Sequence, residues 1–96
     1  AIKDNILDLE TLSSRLMDLL WQEYPQAIRD RYKIESGPAE GESPVARGYA
    51  LLEQAARKRG FLLGGGLLDT ERMARVLLEE YRSCKLGRFT LESVQD

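Results

Sequence analysis

The sequence of 96 residues contains no histidine and only one cysteine, Cys84. Without histidine, a serine or cysteine nucleophile has no imidazole to activate it, and zinc sites built from cysteine and histidine are excluded. A single thiol cannot form an intrachain disulfide, and an isolated thiol is typical of the reducing cytoplasm. We therefore predict a cytoplasmic protein with no disulfide partner and no metal site, in which Cys84 is a small buried hydrophobic residue.

Long hydrophobic runs are absent as well. No apolar stretch approaches the roughly 18 residues of a transmembrane helix, and the first residues do not form a signal peptide. Hydrophobic residues make up 43% and charged residues 31% of the chain, a composition typical of a globular domain. We predict one domain over residues 1–96, with a modest core, no deep enclosed active site and no membrane contact.

The net charge is only -2, but it is unevenly distributed. Residues 1–44 carry 5 basic and 9 acidic side chains, whereas residues 45–96 carry 9 basic and 7 acidic ones. The second half is therefore the one that favours an anionic partner. The same charges are also compatible with helix surfaces that are only solvated, so both interpretations stay open.

Apolar residues at spacings of three and four predict a first helix over 9–24, with Asp8 as its N-cap. A second, short helix is predicted over 25–32, with Pro25 at its first position. Lys33 follows this helix directly, at a point where a glycine is expected. The predicted inward face of the first helix combines Leu9, Leu12, Leu16 and Leu20, widened by Met17, Trp21 and Tyr24.

Cap residues delimit a third helix. Ser43 is its predicted N-cap, Pro44 its first residue and Gly60 the glycine that ends it. Gly48 lies inside this helix, where glycine costs about 1 kcal/mol relative to alanine. Its presence there predicts that another backbone approaches the helix closely.

A fourth helix is predicted over 70–86, with Asp69 as its N-cap and Gly87 as its stop. Its apolar face includes Cys84. No two β-rich runs are available to pair as a sheet, and no internal repeat is evident. The fold class that follows is all-α, a compact bundle of four to five helices.

The other segments are predicted to connect or extend the helices. Residues 1–8 have the character of a linker from a longer protein. Residues 35–44, rich in glycine, proline, serine and glutamate, predict a mobile loop that serves as a connector. Residues 89–96 form a short tail in which apolar and polar residues alternate, which predicts an extended segment across the bundle.

Residues 57–69, RKRGFLLGGGLLD, place basic residues and three glycines around an apolar segment. A Walker phosphate loop needs lysine and then serine or threonine after its second glycine, whereas two leucines and Asp69 follow Gly66. The dinucleotide-binding spacing is absent too, so this stretch is not a nucleotide loop. Two interpretations remain: a tight turn at positive φ with its apolar flanks tucked under it, or a turn whose bare amides also meet RNA phosphates.

Basic side chains cluster at 57–59 and again between residues 72 and 88. If the fold brings these groups together, they form one patch that contacts phosphates. The alternative is a solvated face with ion pairs such as Glu71–Arg75, and the Glu79–Glu80 pair is interpreted as surface. The candidate RNA contacts are Arg57, Lys58, Arg59, Gly64, Gly65, Gly66, Arg72, Arg75, Arg82, Lys85 and Arg88.

Several short motifs together resemble one protein family. They are AIKD at the start, YP at 24–25, RY at 31–32, RGFLLGGGLLD at 59–69 and KLGRFTLE at 85–92. In this order they resemble the C-terminal helical domain of the circularly permuted ribosome biogenesis GTPases of the RbgA/YlqF type. The resemblance covers nearly the whole chain.

The resemblance implies a helical domain similar to the ANTAR class of RNA-binding domains, with no catalysis and no cofactor of its own. It implies a parent protein whose missing N-terminal domain hydrolyses GTP and binds Mg²⁺. The implied partners are precursor large-subunit ribosomal RNA and the parent's own GTPase domain. The implied role is RNA docking during late assembly of the large ribosomal subunit. A protein-interaction module that packs on the GTPase domain or a ribosomal protein is the alternative.

Overall fold

The computed structural model describes the backbone of residues 2–87 and the side chains of residues 9–87. Within this range the chain forms four α-helices and one short 3-10 turn, and its only β-type pairing is an isolated antiparallel bridge between Leu62 and Leu68. The all-α class and the number of helices are therefore confirmed. The elements are α1 (Ile2–Glu23), α2 (Pro25–Tyr32), α3 (Pro44–Arg59), the 3-10 turn Gly64–Gly66 and α4 (Thr70–Arg82).

Helices α1 and α3 form the centre of the bundle, because each of them contacts all of the other helices. Two adjacent small residues of α1 make these contacts close. The buried Ser13 hydroxyl donates a hydrogen bond to the Ala74 carbonyl of α4, at 3.1 Å. On the other side, Ser14 meets Gly48 of α3 so closely that a Cβ on Gly48 would overlap the Ser14 carbonyl group. The close approach predicted at Gly48 is thus confirmed.

The core is formed by fully buried side chains from all four helices. Burying each of the larger ones contributes roughly 1.5–3 kcal/mol relative to leaving it exposed. A further tie joins α1 to α3, where Arg47 donates two hydrogen bonds to the buried Asp18 carboxylate, at 2.9 and 3.0 Å. The largest apolar core residues are Met17, Leu20, Ile28, Tyr32, Leu51, Leu52, Met73 and Leu77.

Two predictions for α1 are wrong. The helix begins at Ile2, so residues 2–8 are helical and Asp8 is not its N-cap. No glycine or proline interrupts residues 2–8, so nothing in that stretch forces a later start. Leu12, predicted to face inward, is 58% exposed, because the buried face runs through Ser13, Met17 and Leu20, of which only Ser13 lies outside the predicted stripe. The connection of residues 1–8 to a further domain stays a prediction.

Three helices end in the same way, although only one has glycine at the critical position. Lys33 after α2, Gly60 after α3 and Cys84 after α4 all have positive φ, at 58°, 71° and 62°. In each case the next residue's N–H bonds to the carbonyl five residues back, the 6→1 bond of a Schellman motif. The predicted caps Ser43 and Asp69 are both confirmed, as each side chain accepts a hydrogen bond from the first turn of its helix.

The end of α4 differs from the prediction. The helix ends at Arg82 rather than at 86, and the positive-φ residue that reverses the chain there is Cys84; Gly87, the predicted stop, also has positive φ, at 115°, but lies beyond that reversal. Because that reversal takes Cys84 off the helical face, its side chain is exposed, and the prediction of a buried thiol is wrong. Leu86 is buried instead. The predicted extended tail at 89–96 lies outside the described residues.

We expect Lys33→Gly to stabilise the protein by about 0.5–1 kcal/mol. Left-handed backbone is strained for a residue with a Cβ, and glycine removes the strain, offset in part by its larger entropy loss on folding. Urea denaturation followed by circular dichroism measures the change. Lys33→Ala removes the same charge but keeps a Cβ and is expected to bring no gain; an equal gain from both variants would contradict this explanation.

Candidate interaction surfaces

The exposed face of α4 carries two arginines in short helical ion pairs. Arg75 donates to Glu71 at 3.0 Å, and Arg82 donates to Glu79 at 3.1 Å. Exposed pairs of this kind are worth only about 0.3–0.5 kcal/mol. Both guanidinium groups can therefore exchange their carboxylates for an external anion at little cost to the fold.

Glu80, next along α4, lies in a very different environment. Its carboxylate accepts hydrogen bonds from Arg31 at 3.0 Å, from Arg59 at 3.2 Å and from the Tyr32 hydroxyl at 2.7 Å. The residue is only 8% exposed, so the interpretation of Glu80 as a surface residue is wrong. This Glu80 cluster joins α2, α3 and α4 at one point.

Burial acts to raise the pKa of Glu80, but the hydrogen bonds from Arg31, Tyr32 and Arg59 outweigh it and lower the pKa to about 2. The pKa of Tyr32 is raised, first by burial and then by its hydrogen bond to Glu80. Glu80 is therefore ionised at neutral pH. Its negative charge is compensated within the protein by Arg31 and Arg59. These two guanidinium groups are therefore less available to an external anion.

A shallow groove between α3 and α4 brings together three of the predicted RNA contacts. Arg59, Arg75 and Lys85 line it, from the end of α3, the middle of α4 and the turn after α4. The groove also contains Glu79 and Glu80, so its positive charge is partly compensated. Lys85 forms no ion pair with any side chain in the range 9–87. Arg88 lies outside the described residues.

The three basic residues at 57–59 have different surroundings. Lys58 forms an ion pair with Glu35 of the loop before α3, at 2.6 Å, and this contact lowers the pKa of the Glu35 carboxyl. Arg59 belongs to the Glu80 cluster. Arg57 lines a separate groove with Tyr49, Leu63 and Gly66. The structure therefore places these three basic residues on different surfaces, not in a single patch.

The glycine segment is an ordered turn. Residues 61 and 69 are joined by a hydrogen bond from the Asp69 amide to the Phe61 carbonyl at 2.8 Å, and another of 2.7 Å joins residues 63 and 67. Gly65 and Gly66 have φ of 74° and 80°, as the prediction of a turn at positive φ requires. Arg72 of α4 stacks over the Phe61 ring, 4.0 Å from its centre.

The interpretation of a turn with its apolar flanks tucked under it is correct only in part. Leu62, Leu63 and Leu67 are 58%, 51% and 65% exposed. Only Phe61 and Leu68 pack against the core. The turn thus presents a small apolar surface that no sequence pattern indicated, because a short loop has no periodicity from which to predict the direction of each side chain.

Within residues 9–87 no three potential ligands group together as a metal site would require. None of the helices described between residues 2 and 87 has the length and apolar character needed to cross a bilayer. What these surfaces offer is exposed basic and apolar groups on a small all-helical scaffold.

Known proteins contain sequences similar to this chain. The chain is 29% identical over its full 96 residues to Ribosome biogenesis GTPase A of Bacillus cereus, of which it covers 30%. It is 30% identical over 92 residues to the protein of the same name from Priestia megaterium, with 96% of this chain and 30% of that protein covered. The Bacillus licheniformis protein of that name is 30% identical over 96 residues, of which the chain spans 31%.

The resemblance predicted from the motifs is therefore confirmed: along its length the chain is similar to part of Ribosome biogenesis GTPase A. It spans about a third of the length of these relatives. No family model and no solved structure matches the chain.

Proposed function

We propose that this chain is the C-terminal domain of a ribosome biogenesis GTPase and that it docks on precursor large-subunit ribosomal RNA. GTP and Mg²⁺ would bind in the N-terminal domain of the longer protein, and this chain would contribute position rather than catalysis. The similarity to Ribosome biogenesis GTPase A over the whole chain supports the parentage.

The observation that carries RNA docking is the basic surface around α4. Arg75 and Arg82 are exposed and held only by weak helical ion pairs, and Lys85 forms no ion pair with the described side chains. These three cations can reach phosphates without breaking the core. Arg59 is a poorer candidate, because displacing it would leave the buried Glu80 carboxylate with fewer donors.

The test is the affinity of this chain for purified large-subunit ribosomal RNA, measured by filter binding at several salt concentrations. For three to five phosphate contacts, raising the salt from 50 to 200 mM should weaken binding roughly 40- to 500-fold. The double variant R75E/R82E should weaken it by more than about tenfold at low salt, because two attractive contacts become repulsive. Arg72 is left unchanged, since it also covers Phe61.

The matched control is R75K/R82K, which keeps both charges and should bind RNA almost normally. All these side chains are exposed, so neither variant should unfold the protein. A flat salt response, or R75E/R82E binding as tightly as the unmodified chain, would contradict RNA docking. Such a result would leave the protein-interaction module as the function, a reading that the three exposed leucines of the glycine turn favour.

A further inference from the structure

The segment Phe61–Asp69, here called the leucine turn, combines apolar exposure with a defined shape. Its three leucines are 51% to 65% exposed, yet two backbone hydrogen bonds hold the turn closed. The segment is anchored from both sides, because α3 ends at Arg59 and Asp69 caps α4. Adjacent leucines held toward solvent by an ordered loop form a contiguous apolar patch, which is a candidate interaction site, whereas apolar residues scattered singly need no such explanation.

Charge at the edges of the leucine turn indicates what it meets. Arg57 lines the groove beside Leu63 and Leu67, and Arg72 lies over Phe61 on α4. Neither arginine forms an ion pair with a side chain in the part of the molecule described here. A surface that covered the leucines would therefore be complementary if it were apolar at its centre and carried carboxylates at its rim.

RNA is a poor occupant for this surface. Unpaired bases are bound by stacking on aromatic rings or guanidinium planes. The only aromatic ring in the leucine turn is Phe61, and Arg72 already covers it; Tyr49, which lines the groove beside Leu63 and Leu67, is only 36% exposed and its hydroxyl is hydrogen-bonded to Thr70. Leucine side chains offer neither hydrogen bonds nor stacking planes, so their exposure indicates a protein surface instead.

We propose that the leucine turn docks on the GTPase domain of the same polypeptide. This inference rests on the proposed function, which places such a domain in the parent protein. The chain covers only about 30% of its relatives, so most of their length lies outside the part compared. That remainder is large enough to provide the opposing surface.

The small size of the patch selects a tethered partner over a separate one. Three partly exposed leucines make an apolar patch of only a few hundred Å², whereas a stable complex of separate proteins buries about 800 Å² on each side. A covalent linker raises the effective concentration of the partner domain to about the millimolar range. Contact through a patch of this size is therefore sustained within one polypeptide and is too weak between two.

Hydrogen exchange measured by mass spectrometry tests the proposal, without RNA present. The isolated 96-residue chain is compared with the full-length polypeptide that carries it. We expect the backbone amides of Gly64–Leu67 to exchange at least tenfold more slowly in the full-length protein. In full-length L63S/L67S this protection should be lost, and exchange in the helices should not change, because both leucines are exposed.

The matched control is Leu12→Ser, which removes a leucine with the same 58% exposure as Leu62 but on α1. It should leave the protection of the turn intact. Equal exchange in the isolated and full-length proteins overturns the proposal. Protection that grows with protein concentration in the isolated chain overturns it too, and assigns the turn to a second copy.

RNA binding is measured separately, so the two proposals can fail independently. If the isolated L63S/L67S chain binds ribosomal RNA as tightly as the unmodified chain, the leucines are not RNA contacts, as we expect. If it loses RNA affinity more than tenfold, the leucine turn faces RNA and the docking proposal is wrong. A chain that binds no RNA but shows protection in the full-length protein contradicts the proposed function alone.

Discussion

Gly48→Ala is expected to destabilise the protein by about 3 kcal/mol or more, at the upper end of overpacking effects. At an ordinary position inside a helix the same substitution stabilises by up to about 1 kcal/mol. Here the new Cβ would overlap the carbonyl group of Ser14 and lie 2.9 Å from its Cα. These are backbone atoms of α1, so no side-chain rotation relieves the clash, and α1 and α3 must separate.

Thermal unfolding followed by circular dichroism measures the effect, which for a domain of this size corresponds to a Tm lowered by roughly 12–24 °C. Gly64→Ala is the control, because a Cβ there meets no atom within 4 Å. It should leave the Tm nearly unchanged. Ser14→Ala combined with Gly48→Ala should bring no rescue, and a recovery of stability in that double variant would show that the Ser14 hydroxyl, not its backbone, sets the distance.

Much of this architecture could be predicted because its signals are local. Ser43 and Asp69 are caps recognised from residues within one turn, and Gly60 ends α3 as its type predicts. Gly48 was informative for a different reason. A residue that is unfavourable in a helix needs a compensating contact, so its presence predicts that another backbone lies close, although the sequence does not indicate that this backbone is α1.

Several of the wrong predictions concern residues whose environment is decided by distant parts of the chain. Glu80 is buried by Tyr32 and Arg31, which lie 48 and 49 residues away, and nothing near Glu80 in the sequence indicates them. The apolar stripe predicted for α1 includes Leu12 and omits Ser13 and Ser14, yet these two small residues face the neighbouring helices because they permit close approach. Cys84 is a local exception, because it reverses the chain at a position where the residue type predicts no positive φ.

The candidate surfaces likewise combine features that are evident from local sequence with features that depend on distant contacts. The basic residues could be found by composition, but whether each is available depends on its partner. Lys58 and Arg59 belong to ion pairs that join separate segments, and Arg82 to one within a single helix turn. The basic residues that are best able to bind an RNA phosphate are therefore those of α4 and the turn after it, because Lys58 and Arg59 are held by ion pairs between separate segments.

Glu80→Gln is expected to lower the free energy of unfolding by about 2–4 kcal/mol at neutral pH. Glutamine has nearly the same shape, but it carries no charge and presents one acceptor oxygen where the carboxylate presents two. Arg31, Arg59 and Tyr32 together direct five hydrogen bonds at that carboxylate. Glu79→Gln makes the same chemical change at the neighbouring residue, which forms an exposed ion pair with Arg82. It should lower the free energy of unfolding by no more than about 0.5 kcal/mol.

The difference in unfolding free energy between the unmodified protein and Glu80→Gln depends on pH only if the charge of Glu80, and not merely its shape, is responsible. Because the pKa of Glu80 is lowered to about 2 in the folded protein, against about 4.3 when unfolded, the unfolded chain takes up its proton first on acidification. The stability contributed by the carboxylate is therefore complete above about pH 5 and declines as the pH falls towards 2. Urea titrations of both proteins from pH 7 to pH 2 should show their stability difference constant at first and then shrinking. A difference that stays the same throughout would mean that packing, and not the ionised carboxylate, joins α2, α3 and α4.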